Sequence, residues 1–214
     1  MKIQVIPVGP LATNCYLLGD EETGECAIID PGAQAERKIF PALEEFGMKC
    51  TKILLTHGHF DHVMALRDVK DKTGAEICIH KNDAPMLTEE YQSTWKALAA
   101  RGYRQALADR MLEDGDTVQV GNLTVKVMLT PGHTQGSCVY LCEDAMFAGD
   151  TLFCGGCGRW DLDGGDADQM YDSLRRLAAL EGDFRVFPGH EEATTLEHER
   201  QTNPVMTYAM KRCK

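Results

Sequence analysis

Three histidines and an aspartate crowd into one short segment of the sequence, THGHFDH, which begins at Thr56. Its candidate ligand residues are His57, His59, Asp61 and His62. Neutral imidazole and carboxylate groups are good ligands for zinc-like divalent ions. One tetrahedral ion would not need all of these residues from so short a run, whereas two adjacent ions would. Because the chain has 7 histidines in all, a chance cluster in a surface loop is the weaker interpretation.

Three further ligand-type residues follow β-like runs elsewhere in the chain. His133 ends TPGH after VKVMLT, Asp150 ends AGD after AMF, and His190 ends PGH after FRVF. Each has a glycine immediately before it, which permits the tight turn that aims a side chain at a shared point. One such turn is weak evidence by itself. Together with the histidine-rich segment, however, the three positions indicate one shared metal site.

The elements that position these residues alternate between β-rich and helical patterns. In the first half of the chain, strands are predicted at KIQVIPV, NCYLLG, CAIID, TKILLT and AEICIH. Apolar residues at helical spacing predict helices over Gln34–Phe46 and Val63–Lys72. Residues 81–112 mix aromatic and basic side chains and are also predicted to be helical. Within them, the segment from Tyr91 to Arg104 either caps the metal site or forms an amphipathic packing helix.

Strands dominate again in the second half of the chain. They are predicted at DTVQVGNLTVKVMLT, with a G-N turn inside it, and at SCVYLC, AMFAG and FRVFPGH. Helices are predicted over Ala167–Leu180, capped by Asp166 or Asp168, and over TLEHERQTN. The strands thus form two runs, each followed by helices. Two sheets packed face to face, with helices on the outside, would bury both runs.

Length, charge and composition limit the classes of protein that the chain can be. Its 214 residues suit a single domain over residues 1–214, and a net charge of −11 argues against nucleic acid as the partner. No apolar run approaches the roughly 20 residues needed to cross a membrane, and the N-terminus lacks the pattern of a signal peptide. The 9 cysteines are scattered, several within strand-like runs, so we expect a reduced, cytoplasmic protein.

A pair of cysteines lies close to Asp150, in the segment GDTLFCGGCGRWD. Cys154 and Cys157 have the spacing of a redox pair or of half a zinc site. The sequence contains no second pair with this spacing, and no thioredoxin-like βαβ pattern surrounds it. We therefore interpret the glycine-rich run as a tight backbone turn at the edge of the metal site.

Taken together, the motifs resemble those of the metallo-β-lactamase-fold hydrolases. The resemblance extends over nearly the whole chain, through LATNCYLL, IIDPG, THGHFDH, TPGHTQGS, GDTLF…GCGR, FPGH and the TNP near the end. Within that family the chain is most similar to the glyoxalase II-like (hydroxyacylglutathione hydrolase-like) branch, in a short form without that branch's C-terminal helical domain. The resemblance implies an α/β fold, a four-layer αββα sandwich with a metal cleft at the edges of its two sheets.

The resemblance also implies a role for each ligand-type residue. The ligands would be His57, His59 and His133 for one ion, and Asp61, His62 and His190 for the other. Asp150 would bridge the two ions, and Asp30, in IIDPG, would support the ligand loop from behind. The implied cofactors are two divalent metal ions, zinc in the first place, with iron or manganese as alternatives.

The activity implied is hydrolysis of a small acyl thioester or a related ester. A hydroxide bridging the two ions would attack the carbonyl carbon, with Asp61 and Asp150 as catalytic carboxylates. Arg159 and Trp160 follow the glycine-rich turn and are candidate substrate contacts, although Arg159 could equally form a structural salt bridge. The branch often has an aromatic pair where this chain has Trp160-Asp161, so glutathione as the thiol stays open. We expect a monomer or a homodimer.

Three alternatives are compatible with the same residues. A persulfide dioxygenase-like enzyme of this fold would use one iron held by His57, His133 and Asp150. The same two metals could instead hydrolyse a lactone, a β-lactam or a phosphodiester, of which the last fits the acidic charge least. A non-catalytic relative would be free to lose ligands, and the full ligand set argues against it.

Overall fold

A computed structural model describes residues 1–95 and 102–212 of the chain. Its strands are β1 (Lys2–Val8), β2 (Thr13–Asp20), β3 (Glu25–Ile29), β4 (Lys49–Leu54), β5 (Glu76–His80), β6 (Arg110–Leu112), β7 (Thr117–Val120), β8 (Leu123–Leu129), β9 (Cys138–Cys142), β10 (Ala145–Gly149), β11 (Arg185–Pro188) and β12 (Thr194–Thr195). Its α-helices are α1 (Phe40–Phe46), α2 (Phe60–Val63), α3 (Leu66–Thr73), α4 (Glu89–Ser93), α5 (Ala167–Ala178), α6 (Leu196–Thr202) and α7 (Pro204–Lys211). Every helix in the two described ranges is too short or too polar to span a lipid bilayer.

Two six-stranded sheets form the centre of the fold. The first has the strand order β1-β2-β3-β4-β5-β6, antiparallel up to β3 and parallel from there onward. The second has the order β12-β11-β10-β9-β8-β7 and is antiparallel except between β10 and β11. Each half of the sequence therefore forms its own sheet, as the two predicted runs of strands require.

Three apolar layers hold the sheets and helices together. The central layer lies between the sheets and contains Tyr16, Ile29 and Phe147. One outer layer packs Ile28 with residues of α1 and α3, and the other joins the second sheet to α5, α6 and α7. Ile28 and Ile29 face different layers because successive side chains of a strand point to opposite faces. The fold is thus the αββα sandwich that the sequence predicts.

Two buried tyrosines form hydrogen bonds across the central layer. Tyr140 of β9 donates to the carbonyl oxygen of Leu55, just after β4, over 2.7 Å. Tyr16 of β2 donates to the carbonyl oxygen of Pro188, the last residue of β11, over 2.6 Å. Each bond ties one sheet to a strand end of the other. These strand ends lead into two of the loops that carry predicted metal ligands.

Replacing Tyr140 with phenylalanine is expected to lower the free energy of unfolding by about 1–3 kcal/mol, because the buried carbonyl of Leu55 loses its hydroxyl donor and keeps only a weak contact with the thiol of Cys138. Chemical denaturation measures the change. Tyr208→Phe is the control, since Tyr208 is 55% exposed and its substitution should cost less than about 0.5 kcal/mol. Equal stability of the wild-type and Tyr140→Phe proteins would contradict the role given to this bond.

Most predicted elements are present, with small changes at their ends. Asp166, one of the two predicted caps, accepts a hydrogen bond from the backbone N–H of Gln169 and starts α5. The helix predicted from Gln34 begins as a π turn over Ala35–Ile39 and continues as α1. The short strand β12 and the helix α7 are additions to the predicted set. Asn203 caps α7 by accepting from two backbone N–H groups of its first turn.

Two helix predictions require correction. The helix predicted from Val63 begins earlier, as the single turn α2, and restarts as α3, so Asp61 and His62 are helical residues. The prediction of helix over residues 81–112 is wrong at its C-terminal end, where β6 pairs with β5. Pairing with a sheet edge satisfies backbone groups that local propensity cannot anticipate. The observed helices there are a 3₁₀ turn at Ala84–Leu87 and α4, and residues 96–101 lie outside the described ranges.

Candidate metal centre

Four loops that follow strand ends bring the predicted ligand residues together. They follow β4 in the first sheet and β8, β10 and β11 in the second. In three groups of three residues, the candidate ligand atoms lie within 4.8 Å of one another. The groups are His57, His59 and His133; His57, His62 and Asp150; and Asp61, His62 and His190. All the residues that the sequence predicts as ligands are therefore gathered in one place.

The three-histidine group of His57, His59 and His133 is buried and closely packed. Nδ1 of His59 lies 2.8 Å from Nε2 of His133, and the ring centroids are 4.5 to 4.9 Å apart. Nδ1 of His133 lies 2.6 Å from the carbonyl oxygen of Arg159, and Nδ1 of His57 lies 3.1 Å from the hydroxyl of Thr56. Such contacts fix the orientation of a ring and leave its other nitrogen for a ligand.

The second group, Asp61, His62 and His190, is held by different partners. Oδ2 of Asp61 lies 3.2 Å from Nε2 of His190 and 3.5 Å from Nε2 of His62. The hydroxyl of Thr13 donates to that same oxygen over 2.9 Å. Nδ1 of His190 lies 3.1 Å from the carbonyl oxygen of Leu11. The start of β2 and the turn before it therefore position this group.

Asp150 lies between the two groups. Its Oδ1 is 3.4 Å from Nε2 of His62, and its Oδ2 is 3.5 Å from Nε2 of His133 and 3.6 Å from Nε2 of His190. A Cβ atom on Gly189 would lie 2.2 Å from Oδ1 of Asp150, so the glycine before His190 makes room for the carboxylate. One side chain thus reaches both groups, which is the geometry that a bridging ligand requires.

Several buried atoms of the site lack a hydrogen-bond partner within the described residues. They are Nε2 of His57, His59 and His62, and Oδ1 of Asp150. A buried polar atom left without a partner costs about 1–3 kcal/mol. Nε2 of His62 and Oδ1 of Asp150 lie 3.4 Å apart inside the cluster, whereas the nitrogen of His59 that faces His133 is Nδ1. Imidazole nitrogen and carboxylate oxygen are a suitable donor set for divalent ions. The residues therefore fit the divalent metal ions that the sequence predicts.

Most, but not all, of the pKa shifts in the site favour metal binding. Burial and the neighbouring histidines lower the pKa of His57 well below its usual range, and that of His59 to about 3. Burial opposes ionisation of Asp61 and Asp150, but the adjacent histidines outweigh it and lower both pKa values. Burial likewise disfavours a charge on His62, yet the surrounding carboxylates raise its pKa. Metal binding there would release a proton, as is usual for histidine ligands.

Asp30 lies behind the ligands, as the resemblance implies. Its buried carboxylate accepts hydrogen bonds from the backbone N–H and the hydroxyl of Thr56 over 2.8 and 2.6 Å. It also lies 2.9 Å from Nδ1 of His62, which leaves Nε2 of that ring facing the cluster. The backbone of Asp30 has a φ of 51°, a left-handed conformation that is uncommon for residues other than glycine. This strained turn places the carboxylate under the loop that follows β4.

Asp83, which the sequence motifs do not single out, connects two of the ligand loops. Its carboxylate accepts hydrogen bonds from the backbone N–H of Gly58, the hydroxyl of Thr134 and the backbone N–H of Gly136. Burial raises its pKa, and these hydrogen bonds act in the opposite direction. The only sequence signal for Asp83 is its position just after β5. The loop after β5 lies at the same sheet edge as the loop that follows β4.

A cleft of about 360 Å³ opens over this cluster. Beside the ligand residues, its apolar walls are formed by Leu11, Phe60, Trp95, Phe153 and Leu162. The ring of Trp95 packs edge-on against that of His59, with 5.2 Å between the centroids. Trp95 belongs to the segment from Tyr91 to Arg104, so its position agrees with the cap, one of the two alternatives for that segment. The cleft can hold a small molecule with an apolar portion next to the ligand cluster.

The two predicted substrate contacts lie in different surroundings. Arg159 lines the cleft, but its guanidinium is paired with Asp161 through two hydrogen bonds of 2.7 and 2.8 Å. Trp160 is not among the described residues that line the cleft. Its ring packs against Tyr171, at 5.7 Å between centroids, in the layer outside the second sheet. The position of Trp160 does not support contact with the substrate, whereas Arg159 stays a candidate substrate contact.

Residues near the C-terminus hold the glycine-rich turn after Asp150 in place by hydrogen bonds. Glu199 accepts a hydrogen bond from a backbone N–H of the turn over 2.8 Å, and Asn203 donates to one of its carbonyl oxygens over 2.9 Å. Cys154 and Cys157 are both free thiols. Burial raises the pKa of Cys157 to about 11, so it is a thiol at neutral pH and not the thiolate that redox chemistry needs. These contacts agree with a structural turn.

Comparison with known proteins points to the same kind of site. Residues 8–190 match the sequence profile of the Metallo-beta-lactamase superfamily. The chain belongs to this superfamily. The matched range extends from the end of β1 to His190 and includes every residue of the three ligand groups. Membership in this superfamily indicates a metal-dependent hydrolase, in agreement with a histidine and aspartate cluster suited to divalent ions.

Two relatives in the superfamily have nearly the same length as this chain. Hydroxyacylglutathione hydrolase GloC of Haemophilus influenzae is 34% identical, with 96% of this chain and 98% of the relative covered. The probable metallo-hydrolase YqgX of Bacillus subtilis is also 34% identical, with the same coverage. Both names specify a hydrolase, one of them a metallo-hydrolase, and only the other specifies a substrate.

Solved structures confirm the fold. The BLEG-1 B3 metallo-beta-lactamase has a TM-score of 0.89 at 33% identity, covering 96% of this chain and 100% of its own. TTHA1623 in a di-iron-bound form has a TM-score of 0.85 at 34% identity, covering 94% and 98%. ETHE1 from Myxococcus xanthus has a TM-score of 0.82 at 31% identity, covering 98% and 88%. Since these neighbours carry different names on one fold, the fold alone does not decide the reaction.

Proposed function

We propose that this protein is a dinuclear metal-dependent hydrolase that cleaves small acyl thioesters or related acyl esters. The observation that carries the proposal is the position of Asp150, whose two carboxylate oxygens lie 3.4 to 3.6 Å from ring nitrogens of both ligand groups. The proposed ligands are His57, His59 and His133 for the first ion, Asp61, His62 and His190 for the second, and Asp150 for both. A site built for one ion would not need the second group.

Two divalent ions, when bound here, lower the pKa of water toward neutrality and polarise a substrate carbonyl. The protein's own part is to hold the reacting groups in place. Asp150 fixes the separation of the two ligand groups. Oδ2 of Asp61, anchored by the hydroxyl of Thr13, presents an acceptor that orients the attacking O–H group. The carboxylates of Asp61 and Asp150 offset two of the four positive charges of the proposed ions. The site therefore attracts an anionic acyl group, although the protein carries a net charge of −11.

A thioester suits the remaining surroundings of the site. A thiolate leaves without help from an acid, because thiol pKa values lie near ~8.5. Phe60, Trp95 and Leu162 line the cleft beside the ligands. Their side chains exclude water from the reacting carbonyl and strengthen the electrostatic interactions within the site. These walls also provide apolar contacts for the acyl group or for the thiol.

A hydroxyacylglutathione is the first substrate to test. A relative of nearly the same length is named hydroxyacylglutathione hydrolase. Arg159 lines the cleft and is the candidate partner for a carboxylate of the thiol. To bind that carboxylate, Arg159 would have to release its present partner Asp161. Both side chains are more than 60% exposed, so this ion pair is weak and easily broken.

A second candidate is a persulfide dioxygenase-like enzyme with one iron held by His57, His133 and Asp150. In its favour, Nε2 of His133 lies 3.5 Å from Asp150 and Nε2 of His57 is buried without a hydrogen bond. Iron also occurs in the di-iron form of a similar structure. Two histidines and a carboxylate are a set that non-haem iron accepts. Oxygen consumption separates this candidate from a hydrolase.

The test is metal analysis of the purified protein, together with assays on S-lactoylglutathione, other thioesters, lactones and esters. We expect about two divalent ions per chain at full loading and thioester hydrolysis without oxygen consumption. Fewer than about one ion per chain, with no hydrolysis of any of these substrates, would refute the proposal. Hydrolysis confined to lactones would agree with the proposed metal centre and would exclude thioesters as the substrate.

A further inference from the structure

Asp83 joins the two loops that carry the three-histidine group. Its Oδ2 accepts hydrogen bonds from the backbone N–H of Gly58 over 3.1 Å and from the hydroxyl of Thr134 over 2.7 Å. Its Oδ1 accepts from the backbone N–H of Gly136 over 2.7 Å. Gly58 belongs to the loop after β4, and Thr134 and Gly136 to the loop after β8. Because Asp83 is 1% exposed, one carboxylate and its three donors are enclosed together.

The segment that begins at Asp83 also holds the carbonyl group of Gly58 in place. Nε2 of Gln92 donates to the carbonyl oxygens of Gly58 and Met86, both over 2.7 Å. Because both partners are carbonyl oxygens, the NH₂ group of Gln92 must face them, and Oε1 is buried without a partner among the described residues. A Cβ atom on Gly58 would lie 2.5 Å from Cβ of Met86. Side chains of this segment therefore fix both polar groups of the glycine that separates two ligand histidines.

We infer that Asp83 is a positioning residue, which together with Gln92 presets the three-histidine group for its metal ion. The inference rests on the proposed function, since it concerns the ligands of the first proposed ion. The three donors to the Asp83 carboxylate are neighbours of this group along the chain: Gly58 lies between His57 and His59, and Thr134 and Gly136 follow His133. Loops that are already ordered lose less conformational entropy when the ion binds, so the affinity of this group depends on the contacts of Asp83.

The pattern of contacts requires a carboxylate at position 83. Three donors converge on its two oxygens, so an asparagine would turn its own NH₂ group toward at least one N–H or O–H donor. D83N is therefore nearly isosteric but cannot satisfy the site. The same reasoning applies to Q92E, which would place a carboxylate oxygen against two carbonyl oxygens. Both substitutions test hydrogen bonding with little change in volume.

Metal binding to the apo protein separates this role from catalysis. D83N is introduced into a His190→Asn background, which lacks one ligand of the second group, and Zn²⁺ is titrated against a chromophoric chelator. We expect the dissociation constant of the remaining group to rise about 10- to 100-fold, the usual effect of removing a residue that orients metal ligands. Q92E in the same background should shift it in the same direction.

D109N is the matched control in that background. Asp109 also accepts a hydrogen bond from a backbone N–H, that of Ile77 over 2.8 Å, but outside the ligand loops, so the Zn²⁺ dissociation constant should change by less than about threefold. Circular dichroism verifies that each apo variant is folded. If D83N does not fold, the same Zn²⁺ titration is made on T134V. This substitution removes the hydroxyl donor of Thr134 and keeps the carboxylate of Asp83.

Unchanged Zn²⁺ affinity in a folded D83N protein, or in T134V where D83N does not fold, would overturn the inference. A protein that binds its metals and hydrolyses no thioester, lactone or ester would refute the proposed function alone. The role of Asp83 would still be read from the binding curves. The two proposals thus fail in different measurements.

Discussion

Replacing Asp150 with alanine is expected to remove metal from both ligand groups and to abolish hydrolysis. The carboxylate lies within 3.6 Å of His62, His133 and His190, so its loss takes a ligand atom from each proposed ion. Metal ions contribute several kcal/mol of transition-state stabilisation, and each 1.36 kcal/mol is a factor of ten in rate. The value of kcat/KM should therefore fall on the order of 1,000-fold or more. Metal analysis and a thioester assay on the purified variant measure both effects.

Cys154→Ser is the control for this variant, because it changes the same glycine-rich turn without touching a proposed ligand. The thiol of Cys154 lies 3.8 Å from a carboxylate oxygen of Glu192, a weak contact that a hydroxyl can replace. Activity and metal content should stay within about twofold of the wild type. A large loss in the cysteine variant would restore a chemical role for the cysteine pair. An Asp150→Ala protein that keeps both ions would reject the bridging role.

Replacing Phe147 with alanine is expected to have the largest effect on stability, lowering the free energy of unfolding by about 3–5 kcal/mol. Phe147 is fully buried in the central layer. Its ring lies 5.4 Å from that of Tyr16 and is stacked on that of Phe187 at 5.3 Å. The cavity would open between two sheets that pack rigidly and cannot collapse fully to fill it. Because Phe147 lies in β10, directly before the loop of Asp150, metal affinity should fall as well.

Denaturant titration of the apo protein measures this change, with Met111→Ala as the control. Met111 is 62% exposed on the edge strand β6, so its truncation should cost less than about 0.5 kcal/mol. If Phe147→Ala cost no more than Met111→Ala, the central layer would not be the main source of stability between the sheets.

The histidine-rich loop is supported from both sides by aspartates of its own sheet. Asp30 follows β3 and Asp83 follows β5, the two neighbours of β4 in the strand order. Asp30 accepts from the backbone N–H of Thr56, and Asp83 accepts from that of Gly58. The side chain of Asp30 then reaches a ligand of the second group, His62, whereas that of Asp83 reaches the loop of His133. Two buried carboxylates thus support the ligand loops, and Asp30 also reaches His57 of the first group through the hydroxyl of Thr56.

The candidate ligands could be predicted from the sequence because the signals for them are local. A strand pattern, a glycine and a histidine or aspartate occupy a few consecutive positions, and strand ends at one edge of a sandwich meet. His133, Asp150 and His190 were predicted in this way, and the structure brings them into one cluster with the THGHFDH segment. Asp30 was also identified, but only through the resemblance. The roles of all these residues as metal ligands stay predictions until the ions are measured.

The sequence by itself determined the two runs of strands, the αββα sandwich and the residues of the candidate site, since alternation of apolar residues and strand-end turns are written into neighbouring positions. Only the tertiary structure decided that Asp83 and Gln92 fix Gly58, that β6 completes the first sheet, and that Trp160 turns away from the cleft. The physical reason is distance along the chain. Asp83 is separated by 25 residues from Gly58 and by 53 from Gly136, and such contacts exist only after the sheets bring their strand ends together.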